Sequence, residues 1–482
     1  MKLSQFTPTP SFFFLILAAT ISVAGATVDN DAAVMSSLLK AISPAPTGWS
    51  HSTNYCSKWR GVCCSSTGRV TAINLPNLSL TETLPSNLAS LSQLTSLNLK
   101  GNCFSGQLPS FANHSVIQEI FLDHNKFVSL PVACFQGLTD LRVLTMDNNL
   151  NLPQWDFPIE LIESPNLVNL SMVSCNLNCL IPEKFFLSSF PNLQNLFLSS
   201  NFLNGVLPQT LPKSKIQKIC LCQNSFTGPI PNLSKLENLF DLQLKTTNSR
   251  ASSVSLKNNL LQGPLPQFNS HVKKVDILGT ISYCRDIPGP CDWQVMVLLE
   301  VAKDLGYPSL LADSWRGNDV CKGWNYVKCD SQEKKVEVVN FHKRHFSGKI
   351  SAAFGKLTEL RNLWLNDNNL IGSIPYELTL LPHLLLLNVS YNNLSGKIPK
   401  FNNSMVKLIT IGNPLLLGNY NDGTSSNATA PVYTGGGGRN IKPIKVGTGF
   451  GIGIKSELGV ESGFGFGCKV RIRARSRIQI QV

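Results

Sequence analysis

Charge is scarce in this chain of 482 residues: Asp, Glu, Lys and Arg together make up 15%, against about 25% in an average soluble domain. Long apolar runs are scarce too. After the first few dozen residues no stretch reaches 18 consecutive apolar residues, and a membrane helix needs roughly 20. The C-x7-C spacings of Cys56/Cys64 and Cys321/Cys329 and the C-x6-C spacing of Cys284/Cys291 do not match the short C-x2-4-C knuckles that hold zinc, so no metal is expected. Gly447, Gly449, Gly451 and Gly453 alternate along the chain, but no strand precedes them and no helix follows. That excludes a nucleotide-phosphate loop, and no cofactor is expected. A hydrophobic fraction of 43% excludes a disordered chain.

What is present points to the secretory route. Lys2 precedes the short apolar run Ser11 to Val23, and Ala24-Gly25-Ala26 forms a small-residue cleavage site. Residues 1–26 are therefore read as a signal peptide. The 14 cysteines suit an oxidising compartment. Eight N-x-S/T acceptors accompany them, at Asn77, Asn113, Asn169, Asn232, Asn388, Asn393, Asn402 and Asn427, and several are expected to carry glycans. The formal charge of +13 is uneven: nine Lys/Arg and two Glu from Arg439 onward place +7 of it in the last 44 residues. The rest is too dilute for a polyanion site, so no nucleic-acid partner is expected.

A repeat of the form L-x-x-L-x-L-x-x-N-x-L dominates the middle of the chain, as in Leu94-Thr-Ser-Leu97-Asn-Leu99-Lys-Gly-Asn102 and again from Leu360 to Asn368. Its last apolar position falls at Leu75, Leu99, Leu122, Met146, Met172, Leu198, Leu221, Leu244 and Leu256, then at Phe341, Leu365 and Val389. Steps of 23 to 26 residues separate the copies, except for 12 between Leu244 and Leu256 and a long gap between Leu256 and Phe341. Apolar residues at period 2 within each run, with Gly and Pro recurring between runs, exclude a helical bundle. They predict an α/β leucine-rich-repeat solenoid, in which each unit contributes one short strand and neighbours must stack to bury it. The Asn three residues beyond each run is expected to bridge coils as a buried ladder of Asn102, Asn125, Asn149, Asn201, Asn224, Asn259, Asn368 and Asn392. Cys175 replaces it once. The 12-residue step reads as two repeats fused after loss of their middle, and predicts an irregular loop or distorted coil there.

Two sets of residues share one order. Trp49, then Cys56-x-x-Trp59-x4-Cys64, precedes the first repeat; Trp315, then Cys321-x-x-Trp324-x4-Cys329, precedes Phe341. Each reads as a disulfide-bearing N-terminal cap with a buried Trp, pairing Cys56 with Cys64 and Cys321 with Cys329; Cys284 and Cys291 form a third expected pair. The predicted organisation is a cap at 27–68, a first repeat block at 69–266, an island with the second cap at 267–335, a second block at 336–411, a Gly/Ser/Asn linker at 412–438 and a basic low-complexity tail at 439–482.

This layout, with Gly289-Pro290-Cys291-Asp292, Leu305-Gly306-Tyr307-Pro308, Ala312 to Asp319 and Gly412-Asn413-Pro414, resembles the ectodomain of the plant transmembrane-kinase family of leucine-rich-repeat receptor-like kinases. The resemblance implies a plasma-membrane receptor with a cytoplasmic Ser/Thr kinase and a role in auxin-linked growth signalling. It implies as partner an extracellular protein, a peptide or hormone complex, an auxin-binding protein or a co-receptor. The kinase motifs His-Arg-Asp and Asp-Phe-Gly do not occur in these residues, so no enzymatic activity is assigned to them. The reading is a secreted, apoplastic binding protein of receptor-ectodomain type, or the cell-surface part of a longer receptor. A soluble inhibitor or decoy is the alternative.

Residues flanking the last leucine of each run should face the binding surface. Phe121, Phe197 and Trp364 are the expected exposed aromatic anchors on it. His342 and Arg344, in the run His342-Lys343-Arg344-His345, could receive a carboxylate or an acidic partner. Cys220 and Cys222, two apart on one strand, are read as pointing outward and too far apart for an easy disulfide.

Overall fold

The computed structural model describes residues 23–186, 189–234, 241–243, 253–255, 258–267, 274–276, 283–285 and 287–417. The Gly-rich motif, the basic tail and the sequon at Asn427 lie outside these residues, as does most of the expected signal peptide. Helix α1 (Val23–Ala41) opens the described chain, starting upstream of the expected cleavage site. It buries Val34, Met35 and Leu38. Strands β1 (Val62–Cys64) and β2 (Val70–Asn74) follow, and then one three-residue strand per repeat: β3 (Ser96–Asn98), β4 (Glu119–Phe121), β5 (Val143–Thr145), β6 (Asn169–Ser171), β7 (Asn195–Phe197), β8 (Lys218–Cys220) and β9 (Asp241–Gln243). They form one nine-stranded sheet in chain order. The first pair is antiparallel and every later pair parallel. The middle residue of the repeat strands β3 to β8, Leu97, Ile120, Leu144, Leu170, Leu196 and Ile219, is buried, which is what the period-2 pattern demands of a strand with one covered face.

Helix α2 (Trp293–Asp304) precedes a second sheet: β10 (Val327–Cys329), β11 (Val336–Asn340), β12 (Asn362–Trp364), β13 (Leu386–Asn388) and β14 (Lys407–Ile409). It too starts with an antiparallel pair and continues parallel. Gly348, at φ +107°, lies so close to the end of α2 that a Cβ would stand 2.2 Å from the Asp304 carbonyl oxygen. The described residues through Leu416 fall in one compact unit. Among them no helix is long and apolar enough to cross a membrane.

The two cap regions are built alike. Trp49 stacks on Trp59 with ring centroids 4.3 Å apart, and Trp315 on Trp324 at 4.8 Å. Disulfides join Cys56 to Cys64, Cys321 to Cys329 and Cys284 to Cys291. Each antiparallel pair carries a bulge at its cysteine end.

The ladder asparagines use both ends of the amide. Asn201 donates to the Met172 and Leu198 carbonyls at 2.8 and 3.1 Å and accepts from the backbone N–H of Cys175 and of Leu177 at 3.0 Å each. Asn102, Asn125, Asn224, Asn368 and Asn392 likewise donate to their own and the preceding coil. Asn149 donates the same way, but its Oδ1 is buried without a partner. Cys175 Sγ reaches the Met146 carbonyl in place of an amide.

Asn259 donates to the Leu221 carbonyl across 38 residues, whereas Asn224 reaches Leu198 across 26. The excess equals the half-length step. Two strands, β9 and a further one at Ser253–Ser255 that pairs with Lys274–Asp276, precede this one ladder Asn, and residues 244–252 between them, where the half-length step falls, lie outside the described residues. Asn413, counted above with the linker, donates to Val389 and Thr410 and accepts from Leu394 N–H. It is a ladder residue, hidden in the sequence because Thr410 stands where the last leucine belongs.

Candidate partner-binding face

In register across neighbouring strands, the residue between the inward leucines gives one outward row: Asn98, Phe121, Thr145, Ser171, Phe197 and Cys220. The residue just after each run gives a second row that includes Lys100, Asp123, Asp147 and Cys222. A groove of about 930 Å³ follows these rows over β4 to β8, with Phe121, Asp123, Asp147, Asn169, Phe197 and Lys218 in its lining. Phe121 and Phe197 are both half-buried rather than exposed. Three strand spacings separate them, roughly 14 Å at ~4.8 Å per spacing.

Beside the rings lies a polar relay. Lys100 Nζ is 3.5 Å from Asp123 Oδ2, which also accepts from Thr145 Oγ1 at 2.7 Å. Asp123 Oδ1 accepts the Asp147 backbone N–H at 2.9 Å. Asp147 Oδ1 in turn accepts from Ser171 Oγ at 2.6 Å and Val173 N–H at 2.8 Å. Burial pushes the Asp147 carboxyl above the usual carboxylate range, against the pull of these two hydrogen bonds. Asn195 donates to the Asn169 carbonyl on the same face. The repeat places Lys100 and Asp123 on this face, but nothing in it picks out Thr145, Asp147 or Ser171 as their partners, because scattered Asp, Thr and Ser in separate repeats carry no local motif; only strand register brings them together.

On the second sheet Asn340, Trp364 and Asn388 stand in register, with Trp364 half-buried. His342 and Arg344 are already engaged within the protein. His342 Nδ1 lies 3.2 Å from Asp367 Oδ2 and 2.7 Å from Asn366 Nδ2. The Arg344 guanidinium covers the Tyr326 ring at 4.6 Å. The carboxylate expected from a partner of His342 is thus supplied by Asp367.

The sequons also separate by placement. Asn77, Asn113, Asn232, Asn393 and Asn402 are exposed. Asn169 is committed to Asn195. Asn388 is buried, its carbonyl accepting from Ser390 N–H and Oγ at 3.1 and 2.8 Å, so it cannot present a free amide as placed. Cys220 and Cys222 depart furthest from expectation: both are buried and their sulfurs stand 3.5 Å apart. Among the other cysteines, burial pushes the thiols of Cys134 and Cys175 up to about 12, which makes them poor nucleophiles.

A family model for a leucine rich repeat N-terminal domain matches residues 28–65 and again 291–330, over the two caps, and a Leucine Rich Repeat model matches residues 93–114. The receptor-like kinase TMK4 of Arabidopsis thaliana is 41% identical over 401 residues, covering 75% of this chain and 42% of that protein. The receptor-like kinase TMK2 of the same plant is 32% identical over 402 residues, covering 72% of this chain and 44% of that protein. The chain thus spans less than half the length of these curated relatives. Among solved structures, the repeat ectodomain of the Arabidopsis thaliana receptor kinase GASSHO1/SCHENGEN3 overlaps with a TM-score of 0.46 at 23% identity, covering 77% of this chain and 45% of that one. The duplicated cap and the 41% identity over 75% of this chain lead to one assignment: the chain belongs to the plant transmembrane-kinase family of leucine-rich-repeat receptor-like kinases, and it corresponds to their repeat-bearing ectodomain.

Proposed function

We propose that this chain is an extracellular recognition module that holds a protein or peptide partner in the groove over β4 to β8 and signals through a kinase. The carrying observation is the juxtaposition in that groove of two half-buried aromatic rings with the Lys100–Asp123–Asp147 relay. Rigid aromatic anchors flanking fixed polar groups are the usual composition of an interface hot spot. The division into two repeat blocks, each behind its own cap, belongs to this proposal, as does placement at the cell surface. Family membership supports growth and hormone signalling, with an auxin-binding protein or a co-receptor as the partner class. A secreted inhibitor of wall enzymes has no comparable support in the relatives.

The test is capture from apoplastic extract with the wild-type chain and with Phe121→Ala and Phe197→Ala variants that keep the wild-type unfolding temperature. Loss of one specific partner in both variants supports the groove. Undiminished capture by both moves the site elsewhere, and enrichment of a wall hydrolase alone overturns the receptor reading.

A further inference from the structure

We propose that Cys220 and Cys222 form a redox-closable pair at the floor of the groove, a fourth disulfide site beyond the three formed at the caps and island. The geometry carries it. The two sulfurs stand 3.5 Å apart, and closing them to an S–S bond of about 2.05 Å asks each to move roughly 0.7 Å. Extended strand geometry alone would hold residues two apart beyond comfortable bridging distance. Cys220, however, is the last residue of β8, and the chain turns immediately after Cys222, where Gln223 has φ +53°.

The two thiols have different roles. Cys220 lines the groove and is 5% exposed, whereas Cys222 is fully buried. A small peroxide therefore meets Cys220 first. The Cys220 thiolate attacks one peroxide oxygen, giving the sulfenic acid and releasing hydroxide. The Cys222 thiolate then attacks the Cys220 sulfur, the S–S bond forms and the sulfenic oxygen leaves as hydroxide. Both hydroxides take up the thiol protons, so two thiols and one peroxide become one disulfide and two waters. The hydrogen bond with Cys220 and burial push the Cys222 thiol up, so closure quickens as pH rises. Other buried sulfurs are committed locally: Cys134 to the Pro109 carbonyl, Cys175 to the Met146 carbonyl, and Cys179 accepting from Phe157 N–H. Because Cys220 pairs in register with Phe197, closure locks the backbone beside one aromatic wall of the groove.

Tryptic cleavage after Lys218 and Lys235 isolates a peptide whose only cysteines are these two. The full chain, as secreted and after hydrogen peroxide, is unfolded in acid, alkylated with iodoacetamide, deglycosylated and digested. The expected peptide is two hydrogens lighter than the dithiol and carries no alkyl group. In the Cys222→Ser variant, Cys220 stops at a sulfenic acid that dimedone traps. In protein not yet oxidised, phenylarsine oxide blocks both thiols with a single arsenic. Two alkyl groups on the wild-type peptide after peroxide, or Cys220 joined to a different peptide, overturn the proposal.

Discussion

Arg69 grips Asp31 with two parallel hydrogen bonds, Nε to Oδ2 at 3.0 Å and Nη2 to Oδ1 at 2.9 Å, and both side chains are buried. Asp31 Oδ2 also accepts the Val70 backbone N–H at 2.9 Å, so one carboxylate pins α1 to the first strand of the parallel array. The second cap solves the same problem without charge. Gln294 Oε1 accepts Val336 N–H at 3.0 Å while its Nε2 donates to the Lys334 carbonyl at 2.8 Å. Removing one member of a buried pair strands the other charge, which costs about 3–5 kcal/mol. Arg69→Met should therefore lower stability by that amount in urea unfolding, while Gln294→Leu, which strands only neutral groups, should cost about 1–3 kcal/mol. Equal losses would mean that the ionic lock adds nothing over the amide.

The ladder predicts unequal rungs. Asn201 satisfies two backbone donors and two carbonyls of its own and the preceding coil, whereas the Asn149 Oδ1 already lacks a partner. Asn201→Ala should cost about 2–3 kcal/mol and Asn149→Ala about 1 kcal/mol, measured by chemical denaturation. The reverse order would show that the carbonyl end of the amide contributes little.

Asp147 should be a stability liability at neutral pH. Its folded carboxyl sits above the unfolded value because of burial, so between the two values the native state binds more protons than the unfolded one. Stability attributable to this group therefore falls as pH rises through the carboxylate range and is lowest above the folded value. Asp147→Asn keeps an acceptor for Ser171 and Val173, so it should raise the melting temperature at pH 7 and flatten the acid-side pH profile. A lower melting temperature at pH 7 would refute this.

Glycan occupancy should follow exposure. Glycopeptide mass spectrometry of secreted protein is expected to find sugar at Asn77, Asn113, Asn232, Asn393 and Asn402 and none at Asn388, which is buried and hydrogen-bonded to Ser390. Full occupancy at Asn388 would require a different register for β13.

The repeat fold was legible because its signal is periodic. Leu97, Ile120 and Leu144 must point inward if the pattern is to bury anything, and the asparagines recur at fixed distance from them. Trp49 and Trp315 were legible because the caps are duplicated. The Asp31–Arg69 lock was not, since 38 residues and no repeat relate its members. The Lys100–Asp123–Asp147 relay was not, since each residue sits alone in its own repeat and only lateral register joins them. The two groove phenylalanines were placed on the correct face but judged more exposed than they are, because burial by neighbours on that face is not written in any one repeat. Cys220 and Cys222 were misjudged by applying ideal strand geometry to a strand that ends between them.

Asn259 reaches Leu221 across a stretch twelve residues longer than its counterpart at Asn224 spans. A zipper that closes over an extra fold of cloth keeps its teeth aligned on either side, and the same holds for a fold stabilised rung by rung between neighbours. Extra length between Leu221 and Asn259 is therefore accommodated while the rungs on either side keep their partners. That makes this the place in the array where length, and with it a new recognition loop, can be acquired without disturbing the groove upstream.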